Sequence, residues 1–417
     1  MPLLLGSKEE DIMKWRACAE LAARIKEDFS GKRAGGSLRQ AQDLLEKYQA
    51  SLQQELDYEA QCLQELDSLL EAIAAAGSPA ELPLLQDRYR ELACAHFSRR
   101  QAVLPFCDAC SSLHDRLLDR VVSLAIKQLT QSGQGAANWA LLVSGERSRG
   151  EQTLRARNSY LLLYRHGADP APLVGALAGA LKDAGFLESE QQLWHGTLQD
   201  WQTLLEAGRQ TGEHREPAIP LPFQVPHSEP QQIVESERCL ELVTDVCFLQ
   251  GDAALADEGL EAAGQIVKKE RNGNAFFQLA RRVLSLPLAV GHFGRWRLQR
   301  SLEHRGELDL EELALAPLVM TVRVLAVQAE IAGGGTVARI QALLSRGALD
   351  VELAERLLKA YQCFMQLKIR YQIGGRGDGA FCEPGALSEV EELRLRNSVA
   401  AVFSLQKIGY QRIVVQG

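Results

Sequence analysis

A chain of 417 residues, 46% of them apolar and 24% charged, is long enough for two or three domains with substantial cores. Its net charge of −8, with no strongly basic stretch, excludes a nucleic-acid binder that works by neutralising phosphates. Nine irregularly spaced cysteines point to a reducing cytoplasm, and no apolar run approaches the roughly 18–20 residues needed to cross a bilayer. The opening MPLLLGSKEED lacks the basic flank and the apolar length of a signal peptide, so a cytoplasmic chain is expected.

Residues 8 to about 132 read as helices. Leu38, Ala41, Leu45, Tyr48, Leu52, Leu56, Leu63, Leu66, Leu70 and Ile73 recur at helical spacings and form one stripe on a long helix. Gly77 ends it, and Ser78-Pro79-Ala80-Glu81 starts the next: serine caps, proline suits the first helical position, and glutamate returns a bond to the cap. A further helix spans about Leu104 to Leu129. Such a set forms a bundle, or an arm that pairs with a partner or with the same helix of a second chain.

The character changes at Asn138. Trp139–Val143 and Ser159–Tyr164 are short apolar runs bounded by polar residues or glycine, as buried strands are. A helix is expected over Leu173–Ala184, and a tryptophan-containing helical segment over about Glu190–Ala207. Five prolines between Thr211 and Pro230 exclude regular structure there, and Leu240–Leu249 is a third strand candidate. From Ala253 onward the pattern is helical again, with stripes at Leu357, Leu358, Tyr361, Phe364 and Met365 and over Glu389–Tyr410. The fold class expected is mainly α with a small central α/β unit: helices over 1–133, the α/β part over 134–252, and a helical domain over 253–417.

Trp139, Leu141, Leu142, Gly145, Arg149, Glu151, Gln152, Thr153, Leu154, Leu162 and Tyr164 stand where a glycine-turn motif has its marks. With them, residues 139–164 resemble the motif of the bacterial nucleotidyltransferase family related to the amino-terminal domain of PII uridylyltransferase. Asp245-Val246-Cys247-Phe248-Leu249-Gln250-Gly251-Asp252 is similar to that family's third-strand pattern. Pro287-Leu288, His292-Phe293-Gly294, Leu315–Val319, Arg323–Ala326 and Thr336–Ile340 resemble its helical substrate-binding domain. The resemblance covers roughly 100–412 and implies a nucleoside triphosphate bound at the turn, with Mg2+ held by strand acids.

The departures bear on chemistry. In-line nucleotidyl transfer needs two divalent metals held by carboxylates. The family's pair of aspartates falls here on Arg157 and Ser159, and a guanidinium cannot ligate magnesium. Glu146 stands at the turn serine and Ser148 at the second glycine. Asp245 alone survives of the three acids, as a catalytic relic or as a strand-end residue that forms hydrogen bonds. Gly145, Arg149, Glu151 and Arg157 are the candidates to hold nucleotide phosphates. Arg157 with Arg149 would do so without a metal, unless Glu146 pairs with a neighbouring arginine and closes the pocket.

Other chemistry-bearing residues have plainer readings. Cys94, His96, Cys107, Cys110 and His114 crowd into 21 residues, with Cys107, Cys110 and His114 on one helical face; they either hold zinc or pack as a buried helix face. His166 and His195 lack a partner nucleophile nearby in sequence. Arg376-Gly377-Asp378 is a flexible turn. The primary expectation is a degenerate, catalytically inactive relative acting in signalling through a protein partner. The alternative is an active nucleotidyltransferase that modifies a PII-like protein or a small molecule, and a purely structural helical adaptor is a third reading. The sensor modules usual in the family, cyclic-nucleotide-binding and CBS domains, are not recognisable, and the amino-terminal helices occupy their place.

Overall fold

The computed structural model describes residues 38–133, 138–155, 158–165, 169–187, 192–207, 244–271, 273–291, 294–331 and 333–415. The chain falls into two compact units, residues 1–71 and 72–417. Helix α1 (Leu38–Ala75) runs unbroken for 38 residues. Ser78 then accepts a hydrogen bond from the Ala80 amide and Glu81 accepts one from Gly77, around a short 3-10 turn begun by Pro79. The sequence signal for a helix start is met one turn early, because α2 (Leu82–Arg100) begins only after that turn. Helix α3 (Val103–Gln131) follows and buries Phe106, Cys107, Cys110, Leu113, His114, Leu117, Leu118, Val121 and Val122.

The α/β centre is a four-stranded mixed sheet in the order β3-β2-β1-β4. Strand β1 (Trp139–Gly145) pairs antiparallel with β2 (Asn158–Tyr164), in a register that sets Ser144 opposite Ser159 and Gly145 opposite Asn158. Helix α4 (Ala171–Asp183) leads to β3 (Leu193–Gly196), which joins β2 in parallel. This strand corrects the helical reading of 190–207, for only Leu198–Ala207 is helix (α5). Four residues are too few to carry a period, and Leu193 and Trp194 are apolar in either reading. Strand β4 (Val246–Gly251) pairs antiparallel with β1, starting later than the apolar run from Leu240 suggested, and residues 240–243 lie outside those described.

Both sheet faces are covered, which is why β1 and β2 read as continuous apolar runs and not as alternating ones. On one face Ala140, Leu142, Leu161 and Leu163 meet Trp194, Trp201 and Leu205, together with Leu255, Ala256 and Ala263 of α6 (Ala253–Glu270). The Trp201 indole donates to the Gly259 carbonyl at 3.0 Å, and a Cβ on Gly259 would lie 2.7 Å from Leu163. On the other face the Tyr160 hydroxyl and His114 Nε2 of α3 share a hydrogen bond of 2.9 Å.

The carboxy-terminal part is helical, as expected. It comprises α7 (Asn274–Val283), α8 (Ala316–Gln328), α9 (Thr336–Ser345), α10 (Val351–Ile373) and α11 (Glu389–Gly409). A two-stranded ribbon, β5 (Leu308–Asp309) with β6 (Phe381–Cys382), and a π-helical turn at Glu311–Leu315 complete it. Asp350 caps α10 through the Leu353 amide, and Ser388 with Glu391 forms a full capping box on α11. Helix α8 is buried almost all round, so its one arginine, Arg323, is held inside. No helix among the described residues is long and apolar enough to cross a membrane.

Candidate functional site

The pairing register gathers the turn after β1, the head of β2 and the head of β4 at one end of the sheet. Gly145 leaves β1 with a φ of 116°, a conformation open to glycine and strained for other residues. The turn then closes on itself: the Glu151 amide donates to the Glu146 carbonyl at 2.8 Å and the Gly150 amide to Arg147 at 3.1 Å. The Ser148 hydroxyl donates to the Gly145 carbonyl at 2.8 Å and also to the carbonyl of Asp245, tying the turn to β4. Asn158 accepts from the Arg147 amide at 2.9 Å and donates to Gln152 at 2.9 Å, fastening the turn to β2. Arg147 reaches back to Asp115 of α3 through Nε at 2.7 Å and a second bond from its Nη2.

Asp245 lies at the centre, and its side chain is wholly buried. It accepts from Arg149 at 3.1 Å, from Arg339 of α9 at 2.6 Å, and from Arg323 of α8. Burial alone would raise its pKa, but Arg323, Arg339 and Arg149 outweigh that and hold the carboxyl well below the usual range. Arg149 is committed a second time, to Glu151 at 2.7 Å. The other oxygen of Glu151 accepts from the Thr336 amide at 3.1 Å, which places a carboxylate at the first turn of α9. There the chains meet without a gap: a Cβ added to Gly335 would lie 1.9 Å from the Arg149 carbonyl oxygen.

A second ion cluster fills the mouth of the turn. Lys368 of α10 is buried and reaches Glu146 at 2.7 Å and Glu311 at 3.1 Å. Burial works against its ammonium, but Glu146 and Glu311 outweigh it and hold the lysine pKa above the ordinary value. Burial pushes the Glu146 carboxyl up, against the pull of Lys368, and its Oε2 is buried without a hydrogen-bond partner. Gln372, one turn further along α10, donates to the Thr153 hydroxyl at 3.1 Å. Glu146, Glu151 and Thr153 of the turn are thus met by Lys368, the Thr336 amide and Gln372 from α9 and α10.

The sequence-derived candidates fall as follows. Gly145, Arg149, Glu151 and Asp245 are brought together. Ser159 is buried beside them at the head of β2. Arg157 lies outside the described residues, as do His166, His292 and Phe293. Glu146 pairs with a lysine where the sequence suggested an arginine, because the partner comes from a helix more than 200 residues away. Cys107, Cys110 and His114 lie along one face of α3; His114 bonds to Tyr160, and burial pushes both thiols up. Among the described residues no group of three His, Cys, Asp or Glu could hold a metal ion. His195 is exposed, 3.4 Å from the Tyr164 hydroxyl.

Lys368, Arg323, Arg339, Glu311 and Gly335 were not singled out for the site from the sequence. One signal for two of them was present: Arg323 stands alone in the run Leu318–Val327, and Arg339 stands between apolar neighbours in Thr336–Leu344. A lone cation on an otherwise buried helix calls for a buried anion.

Residues 87–215 match the family described as "Putative nucleotidyltransferase DUF294", and residues 274–413 match the one described as "Putative nucleotidyltransferase substrate binding domain". The two matches do not overlap and follow in that order along the chain. No curated protein matches the chain.

Proposed function

We propose that this chain, which belongs to the DUF294 nucleotidyltransferase family and carries its substrate-binding domain, is a catalytically inactive member that works as a regulatory protein-interaction module. One observation carries the reading: the surviving acid, Asp245, is consumed by three arginines in a buried network. A metal-ligating carboxylate needs free lone pairs facing the nucleotide. Here a metal would have to displace guanidinium groups, and breaking a buried ion pair costs roughly 3–5 kcal/mol.

The neighbouring positions support the same reading. Ser159 supplies a hydroxyl where the family has an acid, and a neutral hydroxyl balances little of a divalent charge. Glu146 brings a carboxylate to the turn that would receive phosphates, and Lys368 neutralises it from inside the protein. The four cations Arg149, Arg323, Arg339 and Lys368 face the four acids Asp245, Glu151, Glu146 and Glu311. The cluster thus carries no charge for metal and triphosphate to complement. Signalling through a protein partner is the use left for a nucleotidyltransferase shell closed in this way.

The test is transfer itself. Purified full-length protein is incubated with each of the four labelled nucleoside triphosphates and Mg2+ or Mn2+, with and without PII-like proteins. No label is expected on any protein. Loss of two-metal stabilisation removes several kcal/mol from the barrier, and each 1.36 kcal/mol is about tenfold in rate. Metal-dependent labelling above a control lacking the chain overturns the proposal and supports the active-enzyme alternative.

A further inference from the structure

Helix α1 carries leucines that its own unit leaves in solvent. Leu45, Leu52, Leu56 and Leu63 are 60%, 48%, 53% and 54% exposed. At 100° per residue they lie within about 20° of a single line along the helix. A contiguous row of half-exposed leucines on an ordered helix is an interaction surface and not scatter. The question is what covers it.

The spacing answers. Leu52 and Leu56 are each two residues from position 54, and Leu45 and Leu63 are each nine residues from it. Positions 38 and 70, each sixteen residues away, are again both leucine. The row reads the same from either end, so an antiparallel pair about a two-fold axis sets leucine against leucine at each of these positions. Turned through 180° about an axis level with position 54, a second copy sets Leu52 against Leu56, Leu45 against Leu63 and position 38 against position 70. The paired length from 38 to 70 is about 48 Å at 1.5 Å per residue.

Charge selects between the two possible directions. On either side of the row one flank carries Glu46, Gln49, Gln53, Asp57 and Asp67, and the other carries Tyr48, Ser51, Glu55 and Glu59. In a parallel pair opposite flanks meet, which brings Asp57 of one copy among Glu55 and Glu59 of the other. In an antiparallel pair like flanks meet, so Asp57 faces Gln49 and Gln53, and Glu59 faces Ser51 and Tyr48; only Glu55, next to the axis, meets its own copy, against the four like-charge contacts of the parallel pair. Like charges side by side are destabilising, so the antiparallel arrangement is favoured.

We propose that α1 pairs with α1 of a second copy of this chain as an antiparallel two-helix coiled coil centred at position 54. The chain is then a homodimer, joined through an element outside both family-matched domains.

Full-length protein is examined by sedimentation and light scattering at micromolar concentration. The mass of a dimer is expected, and Leu52→Glu should lower it to that of the monomer, as should Leu56→Lys. Both positions are exposed, so the thermal unfolding of the rest of the chain should not move. An equimolar mixture of the two variants tests direction, because only an antiparallel pair sets the new glutamate against the new lysine. The mixture is expected to regain the dimer at least tenfold more tightly than either variant alone. A monomeric wild-type chain overturns the proposal, as does a dimer indifferent to both substitutions. Dimers lost in each variant but not regained on mixing overturn the antiparallel arrangement. Variants that stay monomeric like the wild type but lose thermal stability show that the row is covered from within the same chain, which also refutes pairing.

Discussion

Asp245→Asn separates two roles that a strand-end acid can play. A carboxylate kept to ligate metals sits among other acids, and its removal relieves repulsion, so such substitutions leave stability unchanged or raise it. A carboxylate kept as an anchor does the opposite. Here the substitution removes the charge facing Arg149, Arg323 and Arg339 while leaving three buried guanidiniums in place. Breaking a buried pair from one side costs about 3–5 kcal/mol, against a total folding stability of about 5–15 kcal/mol. At about 2 °C per kcal/mol for a unit of this size, the midpoint of thermal unfolding should fall by roughly 6–10 °C. The pH dependence follows from the direction of the Asp245 shift. Its folded pKa is depressed, so its contribution is full above the unfolded value near 4 and is lost as pH falls through the folded one. The gap between wild type and variant, measured by scanning calorimetry, should stay constant from pH 8 to 5 and narrow below about 4. A variant as stable as wild type at pH 7 refutes the anchor role.

Gly335→Ala places a methyl group 1.9 Å from the Arg149 carbonyl, and since both atoms belong to backbone the helix must retreat. Chemical denaturation should report a loss of at least 1–3 kcal/mol, the usual range for overpacking. Lys368→Met leaves Glu146 and Glu311 buried side by side. Burial already raises the Glu146 pKa against the pull of Lys368, so the fold opposes its ionisation more than the unfolded chain does; that contribution is whole below the ordinary carboxylate pKa and is lost as pH rises through the raised value. The Lys368→Met deficit should therefore be larger at pH 8 than at pH 5, and adding Glu146→Gln should recover part of it at pH 8. Calorimetric titration with ATP should show no binding tighter than about 1 mM, near −4 kcal/mol, with or without Mg2+, because Arg149 is held by Asp245 and Glu151. Micromolar binding that requires Mg2+ would contradict a closed site.

The sheet's first two strands and the long helices were legible because each is long enough to display its period and is bounded by recognisable stops. Gly77 ends α1 and Asn138 precedes β1 as the sequence suggested. The β3 strand was not legible, since four residues between two helices carry no pattern. The turn was read as a degenerate phosphate loop from Glu146, Ser148 and the missing acids. What fills it was hidden for a physical reason: the filling groups come from helices 78 to 222 residues away in the chain, and sequence spacing says nothing of contacts that long. Even so, a lone Arg323 among valines and leucines announced a buried anion, and Asp245 was the acid already under discussion.

The network also explains how a strand-end acid can stay fully buried at this place in the fold. Without cations beside it, Asp245 would be a buried, uncompensated charge, which is among the costliest things a fold can hold. The site admits two remedies, to replace the acid or to supply cations. Here Arg323 and Arg339 supply charge from helices α8 and α9, so the carboxylate becomes a link between the sheet and those helices. Lys368 answers Glu146 in the same way from α10. Arg323, Arg339 and Lys368 all belong to helices of the carboxy-terminal part, so neutralising the acids at this end of the sheet and fastening those helices to it are one event. Any ligand entering this end of the sheet would have to part these buried pairs, and their electrostatics oppose the parting.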